Sequence, residues 1–210
     1  MITALAFAAI LGSPVQDKID FQLGWKKGDK LTYSVGMGDR KKTVIISGVV
    51  VLSVLSENEK GFTVGSSRIE YEGESNLPLP PTPAGTIQIS HKGRVTEGPG
   101  KSGRGGSAGM YFVYAVLPSK PVSVGDKFLV SVNHHGMQSE LEGTFVSLDG
   151  AERTLAKFEF TGQLTDAGGT KFPLTVKSTF DTKRKIFVSL SANLNEGMVI
   201  RSFKLKEPPK

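Results

Sequence analysis

The stretch FPLTVKSTFDTKRKIFVSLSANL, residues 172–194, decides the fold of this chain. In residues 172–180 apolar and polar side chains alternate, which is typical of a strand with one buried face. A similar alternation runs from Ile186 to Leu194, after turn-forming residues at 181–184. The stretch therefore predicts two long antiparallel strands joined by a tight turn.

The rest of the chain repeats this pattern. The same period of two is found at residues 128–132 and 158–164, whereas residues 44–55 are apolar, β-branched and typical of a central strand. The 25 glycines and 11 prolines supply frequent turns. Because many long antiparallel strands in one sheet tend to curl or close, we expect a mainly β fold. The expected architecture is a curved antiparallel sheet or an incomplete β-barrel.

One internal similarity indicates how the sheet is organised. Residues 28–35 read GDKLTYSV and residues 125–132 read GDKFLVSV, with five of eight positions identical. The Gly-Asp pairs are typical of turns that lead into strands, so Asp29 and Asp126 are predicted to be structural. We expect a single β-rich domain, residues 17–210, of two similar halves at about 25–92 and 122–206. The alternative is a chance similarity between two strand-opening turns.

The connection between these halves differs from the rest in composition. Residues 93–109 are rich in glycine and contain Lys101 and Arg104, which predicts a flexible basic loop. A short helix is predicted over residues 107–117, because apolar residues recur there at helical spacing and Pro118 follows. A buried strand is the alternative for so short a segment.

The amino-terminal residues have the character of a targeting segment. Residues 2–11, ITALAFAAIL, form an apolar run too short to span a bilayer but typical of a secretory signal. We therefore expect a signal peptide at residues 1–16 and export to the periplasm, cell envelope or extracellular space. The alternative is a buried N-terminal strand or helix. The chain contains no cysteine, which excludes disulfides and thiolate metal sites.

Three stretches of the chain resemble a known group of proteins. They are WKKGDKLTY at 25–33, LPSKPVSVGDKF at 117–128, and FDTKRKIFVSLSANL at 180–194 with GMVI at 197–200. Together they resemble a broad group of exported bacterial β-rich proteins of unknown function. This resemblance implies neither an activity nor site residues. By architecture alone, the expected fold is similar to the half-barrel carriers that hold lipid or lipoprotein acyl chains.

Two motifs could indicate phosphate or metal chemistry. GPGKS at 98–102 is similar to the end of a phosphate-binding loop, but the glycine that the full motif requires is replaced by Val95. His134 and His135 are adjacent, so on a strand they point to opposite faces and cannot chelate one ion together, whereas in a turn before Gly136 they could. A flexible basic loop and a polar hairpin end are the favoured interpretations, so no metal and no cofactor are expected.

The acidic residues also give a weak catalytic indication. Glu70, Glu72 and Glu74 alternate and therefore share one strand face, where a solvated surface is favoured over acid–base chemistry. No GxSxG or HExxH motif occurs in the sequence. We therefore expect a protein that is not an enzyme. A polar pocket that gathered His91, a histidine of the 134–135 pair and a carboxylate would reverse that expectation.

The expected function is binding. The first hypothesis is an exported protein that holds lipid or another apolar ligand in a concave sheet face. The candidate lining residues are Phe128, Phe158, Phe160, Phe172 and Phe180. The second is an envelope structural or protein-interaction module without a small ligand, and a filled core would favour it.

Basic clusters at 26–42 and 183–210, within a net charge of +6, indicate an anionic envelope surface as a partner. Nucleic acid is not expected, because the clusters lack interleaved aromatic residues.

Overall fold

The protein is represented by a computed structural model that describes residues 17–38, 45–69, 71–73, 84–97, 112, 114–134, 137–166, 168–194 and 199–207. The strands are β1 (Lys30–Gly38), β2 (Ile45–Asn58), β3 (Gly61–Ser66), β4 (Tyr71–Gly73), β5 (Gly85–Ile89), β6 (Val95–Glu97), β7 (Lys127–His134), β8 (Met137–Asp149), β9 (Leu155–Thr165), β10 (Lys171–Asp181), β11 (Ile186–Leu194) and β12 (Val199–Glu207). Within these ranges, no helix has the length and apolar character needed to cross a membrane.

All of these strands belong to one antiparallel sheet. The strand order is β6-β5-β3-β2-β1-β12-β11-β10-β9-β8-β7, and β4 pairs with β2 beyond the end of β3. The first and last long strands, β1 and β12, are neighbours at the centre. Strands β6 and β7 lie at the two ends of this order, so the described strands do not close into a barrel. The prediction of a mainly β, antiparallel fold is confirmed.

The stretch that predicted the fold forms the hairpin of β10 and β11. Alternate residues from Leu174 to Phe180 are buried, as the pattern of period two predicts. The register shifts after Thr179, so that Phe180 pairs with Phe187 and Val188 is left as an extra residue. This bulge places Phe187 on the buried face, which the alternation from Ile186 did not predict.

The two GDK sequences form the same turn. In Lys26–Asp29 and in Ser123–Asp126, the aspartate carboxylate accepts a hydrogen bond from the N–H of the first residue, at 2.8 and 2.9 Å. The aspartate N–H donates back to the carbonyl of that first residue at 3.0 Å in both turns. Gly28 and Gly125 have φ values of 95° and 91°, which explains why glycine precedes each aspartate. Both aspartates are therefore structural.

The predicted helix over 107–117 is wrong at its C-terminal end. Phe112 is helical, but the N–H of Ala115 donates to its carbonyl in a turn, and residues 115–117 are irregular. The N–H of Leu117 donates to the carbonyl of Lys92 instead of continuing a helix. The other predicted helical residues before Tyr114, the loop with Lys101 and Arg104, and residues 1–16 lie outside the described ranges.

The buried side chains of the sheet lie on one face, which we call the inner face; the opposite face is the outer face. Two irregular segments cover the inner face: the N-terminal segment, residues 17–25, and the crossing segment, residues 112–118. Phe21 lies edge-on to Phe145 and Phe158, with ring centroids 5.1 and 5.0 Å apart. Phe112 stacks on Phe203 at 4.3 Å. These contacts fill the inner face with aromatic side chains.

Lys92 ties the two covering segments to the turn between β5 and β6. Its ammonium group binds the carboxylate of Asp20 and donates to the carbonyl of Phe21 at 2.8 Å, while its carbonyl receives the N–H of Leu117. The hydrogen bond from Lys92, supported by one from Gln22, lowers the pKa of Asp20. One turn therefore positions both segments.

The turn between β10 and β11 depends on Asp181. Its Oδ1 accepts hydrogen bonds from the N–H groups of Lys183 and Arg184, at 3.0 and 2.9 Å, and its Oδ2 accepts one from Nε of Arg184 at 2.7 Å. Burial by itself would raise the pKa of Asp181, but these donors outweigh burial and hold the pKa below its usual value.

We expect Asp181→Asn to lower the free energy of unfolding by about 1–3 kcal/mol at pH 7, because the amide replaces a charge-assisted acceptor. A lowered folded-state pKa gives stability that is present above the unfolded pKa and is lost as the pH falls. The cost of the substitution should therefore shrink below about pH 4. Urea denaturation at pH 7 and pH 3 measures both effects, and a cost independent of pH would contradict this role of the carboxylate.

Candidate functional site

The five phenylalanines predicted to line a ligand site lie mainly in the core. Phe158, Phe160 and Phe180 are buried, whereas Phe128 and Phe172 are half-buried. The ring of Phe128 lies 6.1 Å from that of Phe158 and 5.8 Å from that of Phe160. The structure thus brings four of the five into one aromatic layer, in which Phe21 touches Phe158 and Phe180. They pack against one another and against the N-terminal segment.

A large groove lies instead on the outer face and crosses the centre of the sheet. Its volume is about 740 Å³. Two parallel rows of residues border it, each formed by residues that pair directly across neighbouring strands, and the exposed side chain of Val146 also lines it. The first row is Ser34, Lys204, Ser189, Thr179 and Lys157. The second row is Gly36, Ser202, Ser191, Lys177 and Glu159.

The floor of the groove is sheet backbone. The residues between the two rows, such as Leu190 on β11 and Phe203 on β12, border the groove but have buried side chains. Because successive side chains in a strand point to opposite faces, these residues contribute main chain to the floor. The groove crosses five neighbouring strands in the order β1, β12, β11, β10 and β9. With a spacing of about 4.8 Å between strands, its length is roughly 19 Å.

Hydroxyl and ammonium groups dominate the polar chemistry of the groove. Ser34 donates to the carbonyl of Lys204 at 3.2 Å. Lys177 pairs with Glu159 at 2.7 Å, and Lys157 pairs with Asp149 outside the groove. The pairing with Lys157, together with a hydrogen bond from Ser147, lowers the pKa of Asp149.

Lys204 differs from the other two lysines of the groove. In the ranges that the structure describes, its ammonium group has no carboxylate partner. It lies between Ser34 on β1 and Ser189 on β11, near the middle of the sheet. The groove can therefore offer this cation and several hydroxyls to a ligand with anionic and hydrogen-bonding groups.

The other candidate residues do not assemble into a site in the described part of the chain. Nε2 of His91 lies 3.1 Å from the carbonyl oxygen of Asn58, and the ring packs on Phe62 at 4.7 Å. His134 ends β7, where it pairs with Met137. The described ranges contain no group of three or more histidine and acidic residues placed to hold a metal ion. The segment 98–102 and the residues His135, Glu70 and Glu74 lie outside those ranges.

The two basic clusters seen in the sequence are brought together by the pairing of β1 with β12. Tyr33 pairs with Leu205 and Ser34 with Lys204. The N–H of Gly24 donates to the carbonyl of Lys185 at 3.0 Å, which brings the turn before β11 beside the turn before β1. This end of the sheet is consequently rich in lysine.

Sequence reasoning missed the groove residues. Serine and threonine on the polar face of a strand are ordinary surface residues in a sequence, and Ser34 is 170 positions from Lys204. The one available signal is the repeated serine at alternate positions of β11, Ser189 and Ser191. Comparison of the chain with protein families, with curated proteins and with solved structures found no match.

Proposed function

We propose that this chain is an exported, non-enzymatic binding protein that holds its ligand in the groove of the outer face. The observation that carries the proposal is the groove itself. It has a volume of about 740 Å³ and is bordered by two rows of residues from five strands, most of which carry a hydroxyl or a charge. Cavities of this size are in the range of small-molecule sites in proteins.

The filled inner face favours an interaction module over an apolar ligand held among the phenylalanines, and it leaves the outer groove as the place where a ligand can bind. Phe158 and Phe180 are each 1% exposed, and Phe21 packs on both. A lipid chain between them would have to displace the N-terminal segment, with the hydrogen bonds of Leu23 to His91 and of Gly24 to Lys185. A ligand in the outer groove leaves the core and these backbone hydrogen bonds in place.

The arrangement of the groove also supports binding rather than catalysis. Its carboxylate, that of Glu159, is paired with Lys177. A general base would need a free carboxylate or histidine within hydrogen-bond reach of a reacting group. Serine hydroxyls and lysine ammonium groups are sufficient to orient a ligand by hydrogen bonds and charge.

We infer that the groove crosses the seam between two halves of similar plan, with β1 from the first half and β9 to β12 from the second. The identical turns at Lys26–Asp29 and Ser123–Asp126 support this organisation. Each half then forms a series of antiparallel hairpins, and the pairing of β1 with β12 joins them. In this proposal the ligand contacts both halves, so binding would stabilise the seam.

Native mass spectrometry of the full chain, produced with residues 1–16 in an exporting bacterial host, tests the proposal. We expect a mature chain that lacks the leader and carries a bound molecule in fixed stoichiometry. Ser191→Trp, which fills the centre of the groove, should abolish that adduct. Ser131→Trp, on the exposed outer face of the edge strand β7, should retain it.

Three results would count against this function. An adduct that survives Ser191→Trp would place the ligand elsewhere. A mature chain without any adduct would favour the alternative, an envelope structural or protein-interaction module with a filled core. A chain that keeps residues 1–16 and stays in the cytosol would refute export.

A further inference from the structure

A lysine-rich surface lies where β1 begins and its neighbour β12 ends. Six exposed lysines lie there, and none of them pairs with a carboxylate whose side chain the structure describes. We call them the lysine patch: Lys26, Lys27, Lys30, Lys185, Lys204 and Lys206. Glu207, which follows Lys206 on β12, pairs with Thr32 through the backbone and lies beside them. Asp29 lies beside the patch, where its Oδ2 accepts the backbone N–H of Lys26.

The lysine patch and the groove are continuous. Lys204 belongs to both, because it is the β12 member of the first row and lies two residues before Lys206 on the same strand. Lys30 opens β1, which carries Ser34 in that same row. An extended molecule could therefore contact the lysines and continue across the strands between the two rows.

We propose, on the basis that the groove is the ligand site, that the ligand is an acidic polysaccharide which enters over the lysine patch and lies along the groove. Its acid groups would bind the lysines, and its hydroxyls would exchange hydrogen bonds with Ser189, Ser191 and Ser202. Hydroxyl side chains both donate and accept hydrogen bonds, which matches the hydroxyls of a sugar chain.

The charged pairs in the groove permit this mode of binding. The side chains of Lys177 and Glu159 are 73% and 50% exposed, and exposed ion pairs contribute little to stability. Lys157 and Asp149 are exposed to a similar degree. An incoming carboxylate can therefore replace Glu159 or Asp149 as the partner of a lysine at small cost.

The shape of the groove favours a polymer chain over a membrane surface. A bilayer can attract the lysines electrostatically, but a flat surface cannot reach a floor that lies between two rows of side chains. A single polymer chain can contact the lysine patch and the floor at the same time. Anionic vesicles therefore serve as the competing ligand in the test.

The proposal is tested by the binding of fluorescent oligogalacturonate to the mature chain. Binding is measured by fluorescence anisotropy at several NaCl concentrations. We expect Lys204→Gln to weaken binding about fivefold and the double variant Lys30→Gln with Lys206→Gln to weaken it more, because each lysine near a charged surface contributes a factor of this order. Added salt should weaken binding by the wild type more steeply than binding by these variants. Ser191→Trp should abolish binding along the groove.

Lys171→Gln is the matched control, since it removes the same charge from an exposed lysine. Lys171 opens β10, whereas the turn with Lys185 of the lysine patch follows the other end of that strand. It should change affinity less than twofold.

Tight binding of neutral dextran would leave the groove as a ligand site but refute the role of acid groups. Preference for anionic vesicles over oligogalacturonate would refute the polymer and make the patch a membrane contact. If oligogalacturonate fails to bind while Ser191→Trp still removes the co-purified molecule, the polysaccharide is wrong and the proposed function stands.

Discussion

Phe21→Ala should lower the free energy of unfolding by about 3–5 kcal/mol, among the largest effects available from a single side chain here. Phe21 is 1% exposed although it lies outside every strand. Its ring contacts those of Phe145, Phe158 and Phe180 at centroid distances of 5.1, 5.0 and 6.0 Å. Removal of the ring gives up the free energy gained by burying it and leaves a cavity. It also breaks three edge-on aromatic contacts.

The size of this effect depends on how firmly the N-terminal segment is held. Ile19 exchanges two backbone hydrogen bonds with Val122, and Leu23 and Gly24 donate to loops of the sheet. Because these bonds fix the segment on both sides of Phe21, the segment cannot shift to refill the cavity. The cost should therefore lie near the upper part of the range for phenylalanine.

Gln22→Ala is the control for Phe21→Ala. Gln22 is the next residue of the same segment, is exposed, and donates to Asp20 at 2.6 Å. Its substitution should change the free energy of unfolding by less than about 0.5 kcal/mol. Urea denaturation of both variants gives the comparison. Equal costs for the two substitutions would show that the N-terminal segment does not close the core in solution.

The strands could be predicted from the sequence because their signal is local. Alternation of apolar and polar residues in Phe172–Phe180 requires only that one face of a strand is buried, and β10 follows it. The GDK turns were also predictable, because a positive φ and an aspartate acceptor are both properties of a few adjacent residues. Neither prediction depends on distant parts of the chain.

The crossing segment could not be predicted in this way. The spacing of Val113, Tyr114 and Leu117 favours a helix, yet Tyr114, Ala115, Val116 and Leu117 are all buried. A segment that passes over the inner face is enclosed on several sides, so its burial has no period. Tertiary contacts, such as the hydrogen bond from Leu117 to Lys92, replace those of a helix.

The groove could not be predicted because it depends on register. Its rows align Ser34 with Lys204, and Lys204 with Ser189, only after register shifts near Thr32 in β1 and near Phe180 in β10. A shift of one residue moves every following side chain to the other face. A sequence shows which residues alternate, but it does not show which strands are neighbours or where bulges fall.

Gly93→Ala should destabilise the protein by roughly 3–4 kcal/mol, because it combines backbone strain with a steric clash. Gly93 has a φ of +80°, a conformation that costs an alanine about 1–2 kcal/mol. An added Cβ would lie 2.2 Å from the carbonyl oxygen of Ala115, which is backbone of the crossing segment and cannot rotate away. The turn that ties down both covering segments would therefore have to separate from one of them.

Gly28→Ala separates these two contributions. Gly28 also has a positive φ, +95°, but an added Cβ there would meet nothing within 4 Å. Its substitution should cost only the backbone part, about 1–2 kcal/mol. The difference between the two variants in urea denaturation measures the contact between Gly93 and Ala115. If Gly93→Ala costs no more than Gly28→Ala, the crossing segment does not rest on this turn.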